Sequence, residues 1–327
     1  MISICIPCLN EPEENLARVI ENLTDGYNYS DLEIILWNDG SINSNGSFHP
    51  IDDRIIPWTN LTILDSQKRY GVGHGFDRCV EYAYGDIIVL MGADVWPERR
   101  KWLQYVKDMV KQQEIGCAVS VGLQPGNYDI NAEGLYLRYG AKILYTLTVD
   151  DLPKNSVLRK DPDYRDILEA KWMPKQSDEP YEIECCYGAF YWLTKEFYQR
   201  IHGWDTIMGR QCVGHSQWGC LEPHLSLKTK VYGGKIMMYP DMRAGHVFAR
   251  LDKNNPPRAF RNDLKWWNKL WVAHTLLDDE LRDEVLVFPH PSLNLGQAQV
   301  MIRQNWKTVQ ETRQRNKKEG KLISKND

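Results

Sequence analysis

Tyr84-Gly85-Asp86-Ile87-Ile88-Val89-Leu90-Met91-Gly92-Ala93-Asp94 is the stretch on which the fold turns. Its apolar run is uniform rather than alternating and is bounded by glycines. That pattern predicts a strand covered on both faces, as in a parallel sheet. Upstream, Ile2 to Ile6 reads as a strand ending in Pro7-Cys8-Leu9-Asn10-Glu11. Leu16, Val19, Ile20 and Leu23 then recur along one helical face. Leu32 to Trp37 and Leu61 to Leu64 are further strands. The first of these stops at Asn38-Asp39-Gly40-Ser41, and Phe76 to Tyr84 reads as a helix. Downstream, Trp102, Leu103, Val106 and Val110 mark a helix, and Cys117 to Val121 a strand. This alternation predicts an α/β fold: a mostly parallel sheet flanked by helices on both sides.

The second half is less regular. Asn127 to Glu179, with Asp161-Pro162-Asp163 and Pro174, reads as an excursion from the main body, and strands and helices return over 180–250. Leu264 to Leu281 is expected to be one helix packed back on the body, with Trp267 and Trp271 one turn apart as a core stripe. The expected organisation is a catalytic body over 1–250, comprising a 1–120 half and a 180–250 half, followed by a helical extension over 251–327.

Composition excludes several classes. At 327 residues, 43% apolar and 26% charged, the chain can bury a large core and is not a disordered polymer. A net charge of −4 gives no global attraction to nucleic acid or anionic lipid. The run from Arg303 to Lys325 is basic and reads as a fraying, solvated helix end. No apolar stretch approaches the roughly 18 residues of a membrane span, and the N-terminus lacks the basic region of a signal peptide. The 8 cysteines are scattered and read as buried thiols of a reducing compartment. Cys5 and Cys8 have zinc-ligand spacing but no second pair to complete a site.

In an open parallel sheet, ligands gather beyond the carboxyl ends of the strands. Three such ends carry polar residues: Asn10 and Glu11 after Pro7; Asp39 in Asn-Asp-Gly-Ser; and Asp94 after Ala93. A carboxylate there can hold a nucleobase or a cation bridging a diphosphate. Arg69-Tyr70-Gly71-Val72-Gly73-His74-Gly75 adds glycines that allow close backbone approach to phosphates at a helix N-terminus.

Later residues sharpen the reading. Tyr187-Gly188-Ala189-Phe190, His202-Gly203-Trp204-Asp205, Trp218-Gly219 and Tyr232-Gly233-Gly234-Lys235-Ile236 lead to Asp241-Met242-Arg243-Ala244-Gly245-His246-Val247-Phe248. This segment resembles the end of the catalytic domain of polypeptide N-acetylgalactosaminyltransferases and their bacterial relatives. With the strand ends above, it is similar to glycosyltransferases of the family-two type on the GT-A (Rossmann-like) fold. The resemblance implies transfer of a sugar from a UDP-linked donor to a hydroxyl, with Mn²⁺ or Mg²⁺ as cofactor. It implies that Asp39 contacts the base, Asp94 and His246 hold the metal, and Gly188, Ala189 and Trp218 surround the sugar. Pro7, Asn10, Glu11, Arg69, Gly71, Gly73, His74 and Ala93 would complete the donor site.

Two departures matter. Family members carry Asp-x-Asp or Asp-x-His, whereas Asp94-Val95-Trp96 puts an indole at the second ligand position. One carboxylate, one imidazole, diphosphate oxygens and water can still fill an octahedral shell. A metal-independent variant would instead rely on Arg243 or Arg250. In Trp218-Gly219-Cys220-Leu221-Glu222, the carboxylate is displaced by one from the family pattern. Glu222 is nonetheless the first candidate to act on the acceptor, with Asp205 next and Arg250 offsetting leaving-group charge. Close relatives retain anomeric configuration, so retention is expected. The acceptor stays open among a glycan, a lipid-linked sugar, a protein and a modified DNA base. A cytoplasmic enzyme of a bacterium or virus-infected host is expected, because Golgi relatives carry an anchor and a lectin domain. Two other readings remain: a non-catalytic carbohydrate- or nucleic-acid-binding protein on the same fold, and a sugar nucleotidyltransferase. The acidic, glycine-free stretch at 7–14 counts against the second.

Overall fold

The computed structural model describes the chain outside positions 29, 44, 53–57, 59, 99–100, 124–135, 153, 155, 161–164, 187–189, 207–219, 248–261 and 288–292. The first half supplies strands β1 (Ile2–Cys8), β2 (Leu32–Asp39), β3 (Leu61–Ser66), β4 (Ile87–Met91), β5 (Val95–Pro97) and β6 (Glu114–Leu123). Helices α1 (Glu13–Thr24), α2 (Val72–Tyr82) and α3 (Trp102–Met109) lie between them. β7 (Tyr136–Arg138), β8 (Ala141–Thr148), β9 (Arg165–Trp172), β10 (Tyr181–Glu182), β11 (Phe190–Thr194), α4 (Lys195–Arg200), α5 (Leu221–Val231) and β12 (Lys235–Val247) follow. The chain then runs through α6 (Asn262–Leu276), α7 (Asp279–Val285), α8 (Leu293–Gln304) and α9 (Trp306–Glu319).

The main sheet runs β10-β12-β6-β11-β4-β1-β2-β3, with β5 added to β12 and β7 to β6. β3, β2, β1 and β4 are parallel, as the uniform apolarity of Ile87 to Met91 predicts. β11 enters antiparallel between β4 and β6, so the sheet becomes mixed beyond its first half. Successive side chains of a strand point to opposite faces. Ile2, Ile4, Ile6 and Cys8 accordingly join the core under α1 and α3, whereas Cys5 joins the core under α2. The thiols of Cys5 and Cys8 are therefore separated by the sheet.

The excursion after β6 takes shape as a two-stranded antiparallel ribbon, β8 with β9. The expected single helix over 264–281 is two helices. α6 ends at Leu276, and Asp278 accepts the N–H of Leu281 at 2.8 Å to cap α7. Trp267 and Trp271 are core side chains, and they share one apolar cluster with Leu193 of β11, Phe197 of α4 and Val309 of α9.

The basic end does not fray as expected. α9 buries Val309, Thr312 and Asn316. Arg313 donates to the carbonyls of His274 and Leu277 at 2.8 and 2.6 Å, satisfying the C-terminal end of α6. The charge run conceals this role because the docking contacts are spaced along one helical face.

Candidate donor and metal site

Asp39 ends β2, and its carboxylate is committed to the chain itself. Oδ1 accepts the N–H of Tyr70 at 2.7 Å and Trp37 Nε1 at 3.2 Å, and Oδ2 accepts the N–H of Gly71 at 2.8 Å. Burial raises its carboxyl above the usual range, opposed by these donors and by the Arg69 guanidinium. The bonds hold Gly71 at φ 97°, a conformation that favours glycine, at the N-cap of α2. Behind it, Tyr70 and His74 stack at 4.8 Å, and Trp37 meets His74 edge-on at 5.3 Å. Gly73 lies in the first turn of α2. At Gly75, a Cβ would stand 2.6 Å from Trp37 Cδ1 and 2.9 Å from Pro7 Cβ, so only glycine lets α2 approach the ends of β1 and β2 this closely.

Asn10, at φ 53°, joins the first two strand ends. Its N–H donates to Ser41 Oγ at 2.9 Å, and its Oδ1 accepts the N–H of Ile42 at 2.8 Å. Glu11 follows in the same loop; burial raises the Cys8 thiol well above its usual value, and the charge of Glu11 adds to it. The structure thus brings Pro7, Asn10, Asp39, Gly71, Gly73 and His74 to one end of the sheet.

Asp94 and His246 meet because β5 pairs antiparallel with β12, Val95 opposite His246 and Trp96 opposite Gly245. The N–H of Val247 donates to the carbonyl of Asp94 at 3.1 Å. Asp94 Oδ1 lies 3.5 Å from His246 Nε2, and both side chains are partly exposed. Two ligand atoms each about 2.1 Å from one cation and roughly 90–110° apart are about 3.0–3.5 Å from each other. The pair therefore fits a shared divalent cation, and the oxygen-plus-imidazole set suits Mn²⁺ or Mg²⁺. Among the described residues no group of three His, Cys, Asp or Glu forms a fuller site. Trp96 is buried in the core with Ala93 and supplies no ligand. Arg243, a candidate for offsetting charge without metal, pairs with Glu98 at 3.4 Å.

Glu222 lies in the first turn of α5, after Cys220 at φ 64°. Burial raises its carboxyl above the usual range. His246 and Arg138 pull it back and Glu169 pushes it further up, so Glu222 lies within electrostatic reach of His246. Arg138 and Glu169 were not found from the sequence, since both come from the irregular excursion. Burial alone would raise Glu169, but Lys269 and Lys265 hold it down at about 2. Lys269 also donates to Asp166 at 2.6 Å.

Asp205, the second expected catalytic carboxylate, is placed differently. Its side chain has no solvent exposure; Lys228 Nζ lies 2.7 Å from Oδ1, an Arg315 nitrogen 2.5 Å from the same atom, and His224 Nε2 3.5 Å from Oδ2. A sealed carboxylate held by two cations cannot reach an acceptor hydroxyl, and its geometry is that of a structural counter-ion. Gly188, Ala189, Trp218 and Arg250 lie outside the described residues.

Residues 3–165 match the family model Glycosyl transferase family 2. Polypeptide N-acetylgalactosaminyltransferase 8 of Drosophila melanogaster is 20% identical over 306 residues, covering 88% of this chain and 46% of its own. Probable N-acetylgalactosaminyltransferase 8 of Caenorhabditis elegans is 22% identical over 283 residues, covering 83% and 60%. The chain therefore spans about half the length of these curated relatives. A crystal structure of GalNAc-T7 with UDP, GalNAc and Mn²⁺ superposes with a TM-score of 0.68 at 16% identity, covering 98% of this chain and 55% of that one. That likeness establishes the GT-A fold.

Proposed function

The chain belongs to glycosyl transferase family 2 and is a glycosyltransferase, and from that premise we propose that it moves a sugar from UDP to a hydroxyl acceptor with one divalent cation at Asp94 and His246. The observation that carries this reading is the 3.5 Å approach of those two side chains, 152 positions apart in sequence (246 − 94), across the β5–β12 pairing. A bound cation would supply Lewis-acid stabilisation of the departing diphosphate.

The chain's own groups divide the remaining work. Asp39 holds the Tyr70–Gly71 turn, and Oδ2 keeps lone-pair capacity for a uracil N–H. The N–H groups of the α2 N-terminus, with the charge of Arg69 that acts on nearby Asp39, would stabilise a diphosphate there. Tyr70 and His74 provide a stacked wall for the base. Glu222 would accept a hydrogen bond from a hydroxyl of the acceptor or the transferred sugar, an interaction strengthened by exclusion of water. Transfer with retention of configuration is the reading carried from the family resemblance, and the acceptor is a glycan, a protein or a modified DNA base.

The test is a thermal-shift screen of UDP against GDP, each with and without Mn²⁺. Ligand at a hundred times its Kd stabilises by about 2.7 kcal/mol. UDP with Mn²⁺ is expected to give the largest shift, and Asp94→Ala to remove the part that depends on metal. An equal response in Asp94→Ala would exclude that side chain as a ligand.

A further inference from the structure

At the end of α6 remote from Lys265, a cavity of about 260 Å³ opens between α6, α7 and α9. His274, Asp279, Arg282, Trp306, Arg313 and Lys317 line it. None of these residues belongs to the donor, metal or acceptor groups described above.

The charge balance of this cavity is one-sided. Among the described residues, three lining cations face a single lining carboxylate, and Arg282 and Arg313 both bond the same Asp279 Oδ1, at 2.6 and 3.2 Å. The other anion on Arg282 is Asp283, at 2.7 Å, and both aspartates are largely exposed. The guanidiniums are mostly buried, at 21% and 15% exposure, so they are held in place while their exposed aspartate partners are the exchangeable side of each pair. Lys317 has no ion-pair or hydrogen-bond partner among the described residues and lies exposed at the rim. Arg313 is fixed by the carbonyls of His274 and Leu277, so its remaining N–H groups are held in place before any ligand arrives. His274 Nδ1 is buried with no hydrogen-bond partner among the described residues, a costly condition unless something fills it. Its ring is held edge-on against Trp306 at 5.4 Å. Burial, reinforced by Arg282 and Arg313, keeps this imidazole neutral down to about pH 4.

We propose that this cavity is a second binding site, for a tetrahedral dianion such as the phosphate or sulfate group of a small ester. Guanidinium forks match tetrahedral oxyanions in geometry as well as charge, and a lysine at the rim adds a mobile donor. The cavity is too small for a folded partner and has room for an oxyanion with a short attached group. Its occupant would bridge α7 and α9 and supply the unfilled His274 Nδ1 with an acceptor.

Calorimetric titration with inorganic phosphate and, separately, sulfate at constant ionic strength tests the site on the full chain. One equivalent is expected to bind, and the tighter of the two anions identifies the ester class. Lys317→Glu, at an exposed position, is expected to weaken binding at least about tenfold while its melting temperature without anion stays that of the wild type. Arg282→Gln should also weaken it. Asp94→Ala should leave it unchanged, which separates this site from phosphate binding at the proposed donor site. Absence of binding by either anion, or equal affinity in Lys317→Glu and wild type, would overturn the proposal.

Discussion

Asp205→Asn gives the sharpest test of how the catalytic body and the C-terminal helices are joined. The wild-type carboxylate faces Lys228 of α5 and Arg315 of α9, and both Asp205 and Lys228 are sealed from solvent. The pair with Lys228 and Arg315 holds Asp205 well below the usual carboxylate range despite burial, which would raise it. The amide keeps the shape of the side chain and removes its charge, so Lys228 is left as an uncompensated buried cation. Breaking a buried pair from one side costs about 3–5 kcal/mol. A chain of 327 residues unfolds with an entropy near 0.7 kcal/mol/K, at about 2.1 cal/mol/K per residue, so the expected fall in Tm is roughly 4–7 °C. Differential scanning calorimetry measures it directly. The double variant Asp205→Asn with Lys228→Met should recover the part of the loss that comes from the sealed Lys228 cation, the partly exposed Arg315 accounting for the remainder. UDP and Mn²⁺ should still stabilise the single variant, since the cluster does not touch the donor site. A melting temperature within about 1 °C of wild type would show that the cluster is not closed as described.

Burial holds His224 and His274 at about pH 4, below the ordinary histidine value, so both fold as neutral rings. Unfolded histidines take up protons from about pH 6.5 downward, so stability is fully present above that value and falls toward pH 4. The slope should approach about 2.7 kcal/mol per pH unit, two protons' worth, and unchanged urea midpoints from pH 7 to 4.5 would contradict it. Gly75→Ala drives a Cβ into Trp37 and Pro7, and should cost about 1–3 kcal/mol and weaken UDP binding, read by thermal shift. Trp267→Ala empties a core position under α6 and should cost about 3–5 kcal/mol in urea denaturation. Glu222→Gln should slow transfer about 10–100-fold with UDP affinity retained, as for one charge-assisted hydrogen bond; unchanged turnover would remove Glu222 from the acceptor side.

What could be read from the chain follows from how locally each feature is encoded. Strands β1, β2 and β4 are continuous apolar runs ended by turn residues, so the sheet and the residues at its ends were legible. Asp94 and His246 were legible only through resemblance, because the pairing that joins them is a three-residue strand with no periodicity of its own. Asp205 misled for the opposite reason. Its partners come from α5 and α9, distant in sequence, and Arg315 sits in a run whose composition reads as solvated surface. Arg138 and Glu169 gave no signal, since an irregular excursion hides which of its charges turn inward.

Asp39 shows how the local backbone decides a side chain's role once it is correctly located. A carboxylate beyond a strand end was read as a ligand for the base, and the strand end is where the structure has it. Yet its nearest donors are the chain's own N–H groups at 70 and 71, placed by the conformation of Gly71 at the start of α2. A carboxylate has about four acceptor positions, and the turn occupies most of them before any nucleotide arrives. On the proposed reading, a base would be contacted by what remains on Oδ2 and by the Tyr70–His74 stack that the turn erects. Removing the charge at position 39 should for that reason weaken UDP binding through collapse of the turn as much as through a lost contact. Replacement by Asn, which can still accept one of those N–H groups, should be milder than replacement by Ala.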